Sequence, residues 1–290
     1  MRVTENMRLI ASLRSLAENA ARAQRLTDQA SRGIVVSRPS DGAAIYSSIV
    51  RRGDRIARLE SRLEVMERSA GDLRLAESAL ASAADIIVRA RELAVQQADG
   101  GLFANERSDA AKEVALMRQQ LVGIANSKGQ RGYLFSGTAT NTPAFDPAGN
   151  FQGTSQTMEI EYADNQRMAT NIDGGAAFKT VDLFAALAQL EADLTADNAA
   201  GVRATIDLFE QGHRQLITAR TDAGGRILRL ESSVDVTSNA ATKSLAEQHE
   251  EQEGDLAETV LRLQEAQTAY ERSIAVTRQV LTIASAVERF

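Results

Sequence analysis

Residues 45–98 read IYSSIVRRGDRIARLESRLEVMERSAGDLRLAESALASAADIIVRARELAVQQA, and this stretch decides the fold. Its apolar residues Ile45, Ile49, Ile56, Leu59, Leu63, Met66, Ala70, Leu73, Leu80, Ala84, Ile87, Ala94 and Ala98 recur mostly at spacings of three, four and seven. That is the seam of a helix packed along another helix. Arg52, Glu77 and Arg91 interrupt it. No proline falls between 40 and 142, so the backbone chemistry permits one uninterrupted helix. At 1.5 Å per residue it extends about 80 Å, against a diameter of about 50 Å for a compact globule of this length. Such a helix does not fold into a sphere. The expected fold is mainly α: an elongated rod of long antiparallel coiled-coil helices from both chain ends, with a small β-rich domain inserted in the middle.

Two further seams flank the long one. Leu9, Leu13, Leu16, Ala20, Ala23, Thr27, Ala30 and Ile34 keep a strict four–three spacing near the N-terminus. Leu256, Val260, Leu263, Gln267, Tyr270, Ile274, Thr277 and Leu281 do so near the C-terminus. In the first of these only Leu9, Leu13, Leu16 and Ile34 are large, and burying them contributes about 6–12 kcal/mol gross. Ordering each residue costs about 1–2 kcal/mol in backbone entropy alone. Small Ala positions permit close approach by several helices at once. Residues 1 to about 40 and about 255 to 290 are therefore expected to be disordered in the monomer and to fold only when partner helices surround them.

Asp99, Gly100 and Gly101 end the long helix, and a further helix is expected over about 105–127. Between about 129 and 184 the composition changes. Seven of the twelve aromatic residues (Tyr133, Phe135, Phe145, Phe151, Tyr162, Phe178 and Phe184) lie there. Met158, Ile160 and Tyr162 alternate with Glu159 and Glu161, the period of a half-buried strand. TPAFDPAGN and IDGGAAF supply turn residues, with Gly174 and Gly175 expected at positive φ. Helices resume at about 182 and again from about 202, with weak points at Gly224–Gly225 and Gly254. The chain divides into terminal coiled-coil helices (1–42 and 252–290), a long-helix bundle (43–128 and 198–251) and a β-rich insert (129–197).

Composition narrows the chemistry. Of 290 residues none is Cys or Trp and only His213 and His249 are histidine, which disfavours disulfides, thiolate catalysis, Cys-ligated zinc and His-rich metal sites. A net charge of −6 disfavours nucleic acid as the main partner, and no apolar run suits membrane insertion. The Arg51, Arg55, Arg58, Arg62 stripe is interleaved with Glu60, Glu64 and Glu67. No nucleophile elbow, phosphate loop or dinucleotide fingerprint is present. No catalytic residue, cofactor or metal is expected. Residues 1–70 carry a net +5 and residues 231–261 a net −7. The preferred reading is a solvated helix face with i,i+4 pairs such as Asp54–Arg58 and Glu64–Arg68; the alternative is helix or subunit pairing set by these opposite signs.

The opening MRVT, the loop ASRGIVVSRPSDGAA, the segment RGYLFSGT before TPAF, ARTDAGGRILRLES near 219–232 and the terminal DLAETVLRLQEAQTAYERSIAV stand in the order seen in the flagellin family. Over nearly its whole length the chain resembles that family, and within it the hook–filament junction branch. Ser31, Arg32, Gly33, Pro39, Ser40 and Asp41 match a loop common to the whole family. PSDG there lacks the second acid and second proline of the commoner PSDDP. Arg131, Gly132, Tyr133, Phe135, Gly137, Pro143 and Phe145 match the junction-type motif.

The resemblance implies a structural role at the junction of the flagellum: a ring of subunits on the hook tip, with the terminal seams in the polymer core. It implies as partners further copies of itself, a hook-side junction protein of the hook-associated protein 1 type, flagellin on the filament side and a type III export chaperone. It also implies an extracellular flagellar location reached without a cleaved signal. A filament subunit and a cytosolic coiled-coil scaffold stay open as alternatives.

Overall fold

The computed structural model describes residues 2–98, 104–253 and 256–287, with side chains over 7–98, 105–253 and 257–282. In chain order the helices and strands are α1 (Arg2–Arg32), α2 (Ala43–Gln97), α3 (Ala104–Ala125), β1 (Lys128–Gly129), β2 (Gly132–Tyr133), β3 (Glu159–Ala163), β4 (Gln166–Ala169), α4 (Gly174–Lys179), α5 (Leu183–Thr195), α6 (Ala199–Glu253) and α7 (Leu256–Val287). The fold is mainly α, with two small antiparallel hairpins, β1–β2 and β3–β4, in the middle of the chain. Two compact units are formed, Met1–Arg58 with Ala240–Phe290, and Leu59–Asn239. Asp99, Gly100, Gly101 and Gly254, read from sequence as breaks, lie outside the described residues.

The second unit has the dense core. From α2 it buries Met66, Ala70, Leu73, Leu80, Ala84, Ile87 and Ala94, the seam expected from their spacing. From α6 it buries Val202, Phe209, Leu216, Ala223 and Leu230, one every seven residues, an a-type row facing α2. The residues that interrupt the α2 seam are explained by α6. Glu77 accepts from Arg220 at 2.5 Å, Arg91 lies 3.7 Å from Glu210, and Arg74 beside the seam meets Glu231 at 2.6 Å. Partner numbers fall as α2 numbers rise, so the two helices run antiparallel within this unit.

The β3–β4 hairpin keeps the alternation of its sequence: Ile160 and Tyr162 are half-buried while Glu159 and Glu161 face outward. Ile160 pairs with Met168, and the register slips by one residue beyond Glu161. Five phenylalanines form one cluster under the loops. Phe178 meets Phe135 edge-on at 5.2 Å and Phe145 at 5.5 Å, while Phe145 lies 5.3 Å from Phe151 and 5.0 Å from Phe184. This cluster is why aromatic residues concentrate between 133 and 184: the segment has little regular structure, and large rings supply the burial that secondary structure does not.

Glycine positions correct two expectations. Gly174 and Gly175 open α4, whose N-cap is Asp173 accepting from the Gly175 N–H, and neither has positive φ. Gly174 is needed for proximity instead, because an added Cβ would collide with the Phe135 carbonyl. Gly224 and Gly225 do not break α6, which runs through them because Leu216, Ala223 and Leu230 hold it against the core. Each glycine still costs about 1 kcal/mol relative to Ala in a helix interior.

The first unit is packed differently. α1 lies along α7, yet no described side chain of α1 is fully buried. The described α7 side chains that are buried are Thr259, Ala266 and Thr277. Elsewhere in this unit Arg52 of α2 binds Glu247 and Glu251 of α6, the latter at 2.9 Å. Ser48 donates to Glu251 at 2.5 Å, and the Gln248 amide donates to the Ile49 carbonyl at 3.0 Å. Arg52 thus interrupts the apolar seam to anchor a polar one, and the charge pairing kept as the alternative for the two ends of the chain occurs within it. Glu64–Arg68 also forms, at 2.5 Å, as an ordinary i,i+4 pair.

Candidate functional site

Three groups of sequence-predicted residues need placing. Of the terminal seams, Leu9 and Leu16 are half-buried, whereas Leu13 is 47% exposed and Ile34 lies just past α1 at the surface. On α7, Leu263, Tyr270 and Ile274 are half-buried, while Val260 and Leu281 are exposed; the side chain of Leu256 lies outside the described residues. The inward face of α7 is Thr259, Leu263, Ala266, Tyr270, Ser273, Thr277 and Val280: Leu263, Tyr270 and Thr277 of the expected seam stay inward, and the positions between them shift by one residue. On α1 the inward positions likewise include Ser12, Asn19 and Leu26. Leu9, Leu16, Leu26, Leu263, Tyr270 and Val280 therefore share the contact between the two helices with small and polar residues such as Ser12, Asn19, Thr259 and Thr277. Met7, Ile10, Leu13, Leu261 and Val276 point away from it, with Ile10 66% and Leu261 57% exposed. A helix pair that leaves these large apolar side chains outward has surface left to cover.

The family loop connects α1 to α2. α1 ends at Arg32, and Gly33 follows at φ +71°, the left-handed residue that closes a helix C-terminus. Ser31 donates to the Asp28 carbonyl at 3.0 Å. The chain then crosses α6, where the Val35 N–H donates to the Gln252 carbonyl at 2.8 Å and Val36 is buried. Pro39–Asp41 forms one 3₁₀ turn, with the Asp41 carboxylate accepting from the backbone N–H groups of Ser37 (3.1 Å) and Arg38 (2.9 Å). Asp41 caps the turn by itself, so the acid missing from PSDG is not required for this geometry. Arg32, Pro39 and Ser40 remain exposed.

The junction-type motif lies within the second unit and is tied to it by several contacts. Arg131 donates Nε to Asp72 of α2 at 2.7 Å and reaches the Thr170 hydroxyl (3.1 Å) and carbonyl (3.3 Å) beyond β4. Asp72 is nearly enclosed and also accepts from the Gln130 N–H at 2.8 Å. The Tyr133 N–H donates to the Thr140 carbonyl at 2.9 Å, closing the turn around Gly132. Lys128 sits 4.6 Å from the Tyr133 ring centre. Phe135 and Phe145 belong to the ring cluster. Gly137, at φ +66°, lies where a Cβ would run into the Thr154 carbonyl. Asn126 clamps Phe145 from both sides, donating to its carbonyl at 2.8 Å and accepting from its N–H at 2.9 Å. Pro143 is exposed. After it, Asp146 accepts from the Asn150 side chain and from the Asn150 and Ala148 N–H groups, and these bonds hold its carboxyl below the usual range.

Sequence reasoning missed the α6 row at 202, 209, 216, 223 and 230. Its alternate positions are Thr205, Gly212, Ala219, Arg226 and Ser233, too small or polar to complete the heptad signal. Counting the seven-residue repeat of its larger members alone finds it. Among the described residues neither histidine belongs to a group that could hold a metal ion: His213 is half-buried and His249 exposed. Among the described residues no helix is long and apolar enough to cross a membrane.

Comparison with known proteins gives this geometry a lineage. Residues 3–140 match the bacterial flagellin N-terminal helical region. Flagellar hook-associated protein 3 of Salmonella typhimurium is 25% identical over 183 residues, covering 62% of this chain and 58% of that protein. The chain thus matches little more than half the length of that relative. Flagellin of Bacillus subtilis is 25% identical over 246 residues, 81% of each chain. The crystal structure of hook-associated protein 3 from Legionella pneumophila superposes at a TM-score of 0.63 with 15% identity, covering 71% of this chain and all of that one; this establishes a shared fold. Over residues 3–140 the chain is similar to the bacterial flagellin N-terminal helical region, and it is similar, in sequence and in fold, to proteins of the hook-associated protein 3 kind.

Proposed function

We propose that this chain is a structural adapter at the hook–filament junction of the bacterial flagellum, forming a ring of subunits on the hook tip onto which flagellin assembles. Its work is binding and geometry rather than catalysis. The observation that carries the proposal is the α1–α7 pair, which fully buries no described α1 side chain and only Thr259, Ala266 and Thr277 of α7, while Met7, Ile10, Leu13, Val260, Leu261, Val276 and Leu281 face outward. That is the surface of a subunit completed by its neighbours. The similarity to hook-associated protein 3 supports the junction as the place. The partners that follow are further copies of the chain, a hook-side junction protein of the hook-associated protein 1 type, flagellin on the other side and an export chaperone of the flagellar type III apparatus. The location that follows is extracellular, on the flagellum.

A second reading, a filament subunit, is favoured by the 81% coverage shared with Bacillus subtilis flagellin. Immunogold electron microscopy with antibody to residues 140–180 separates the two. Label in one narrow band between hook and filament is expected. Label along the filament makes the chain a flagellin, and none on the flagellum removes both.

A further inference from the structure

An open cavity of about 1270 Å³ in the second unit lies between the β4–α4 segment and the outer face of α6. Its walls are mainly apolar, with Met168, Ile172, Ala177 and Val181 on one side and Ile217 on the other. The motif ARTDAGGRILRLES runs along its edge, placing Gly225 and Arg229 on the lining. A Cβ added at Gly224 or Gly225 would meet nothing within 4 Å, and neither residue has positive φ. Two adjacent glycines thus weaken the middle of a long helix with no cause inside the chain. Glycine in such a place is useful when another backbone or side chain approaches closely from outside.

Elsewhere in the same unit, α2 presents a stripe that suits this groove. Asp85, Val88, Glu92 and Val95 fall at i, i+3, i+7 and i+10 on one helix face and are all exposed, Val95 by 54%. The stripe is apolar and acidic, with Glu92 3.7 Å from the neighbouring Arg89, which leaves Asp85 as its acid without an ion pair among the described residues. The groove is apolar with a basic lip: Arg226 is engaged with Asp222 at 2.5 Å and Arg214 with Glu210 at 2.8 Å, while Arg229 makes no ion pair among the described residues.

We propose that the α4–α6 groove is a subunit–subunit contact that receives the Asp85–Val95 stripe of a second copy of this chain, with Gly224 and Gly225 providing the clearance and Arg229 facing Asp85. Groove and stripe are different surfaces of one molecule, so the contact is heterologous and propagates from copy to copy, closing as a ring or continuing as a helix. The proposal rests on the assembly role argued above.

The test compares wild type, Gly225→Ala, Gly225→Leu, Arg229→Glu and Arg229→Glu with Asp85→Arg. Melting is measured on each purified full chain, and incorporation by immunoblot of sheared flagella. Gly225→Ala is expected to raise the melting temperature by about 2–4 °C, since alanine is the better helix former and the space is open. Gly225→Leu is expected to fold and to lose at least about tenfold in incorporation. Arg229→Glu should lose incorporation and the double exchange should regain it. Gly225→Leu incorporating like wild type overturns the contact, as does a lower melting temperature for Gly225→Ala, because the glycine would then serve the chain itself. Failure of Asp85→Arg to rescue overturns the assigned partner stripe. Wild type missing from sheared flagella is a separate outcome, and it sinks the assembly role from which the contact follows.

Discussion

Replacing Asp72 by Ala tests whether the junction-type motif is a folding device. Asp72 has a side chain 5% exposed and accepts from Gln130 N–H and Arg131 Nε. Deleting it leaves a backbone donor and a guanidinium, itself only 26% exposed, without their acceptor. Breaking a buried pair from one side costs about 3–5 kcal/mol. Arg131 keeps its two bonds to Thr170 and some access to water, so the lower end, about 3 kcal/mol, is expected. For a unit of this size that corresponds to about 6–12 °C in melting temperature. Asp72→Asn keeps an acceptor for Gln130 and loses the charge, so about half that loss is expected. The assay is calorimetry of the purified chain with near-ultraviolet circular dichroism, because most aromatic residues lie in 133–184 and their signal follows the second unit. In a double-mutant cycle with Arg131→Ala the coupling should reach about 2 kcal/mol. A loss below about 1 kcal/mol for Asp72→Ala, or coupling near zero, would refute the assignment of Arg131 to the fold and return it to the surface.

Phe178→Ala empties the centre of the ring cluster and should cost about 3–5 kcal/mol, with loss of near-ultraviolet ellipticity in the remaining fold. Hydrogen bonds from Arg52, and then Ser48, hold the Glu251 carboxyl below its usual range. A depressed carboxylate adds stability above the unfolded value and loses it as pH falls through the folded one. The first unit should therefore weaken as pH drops below about 4.5, and Glu251→Gln should flatten that acid limb when melting is followed against pH. Amide exchange of the dilute monomer should be fast in α1 and α7 and slow in α2 beyond Leu59, because burial in the terminal pair is thin. Strong protection at both ends would show that the terminal helices need no neighbours.

Much of the fold was legible because its helices advertise themselves locally. The α2 seam starts and stops within a few residues of Ala43 and Gln97, and the alternation at 158–162 is the β3 strand. The aromatic concentration announced a core without naming its partners, since ring pairs such as Phe135–Phe178 join residues that sequence spacing does not relate. Of the candidate site, the contacts of the 131–145 residues were not legible: Arg131 needs Asp72, 59 residues away.

From sequence alone the chain was committed to long helices at both ends and a turn-rich, aromatic middle, because hydrophobic period, proline and glycine placement act over a few residues. Tertiary structure decided which face of each helix is covered. Val260 and Leu281 make as good a seam on paper as Thr259 and Ala266, but α7 buries Thr259 and Ala266 and leaves Val260 and Leu281 outside. It also decided that Gly224 and Gly225 stay helical and that Arg52, Glu77 and Arg91 are paired with α6 rather than seam defects. Burial and charge pairing depend on what another segment places opposite, and no local pattern contains that information.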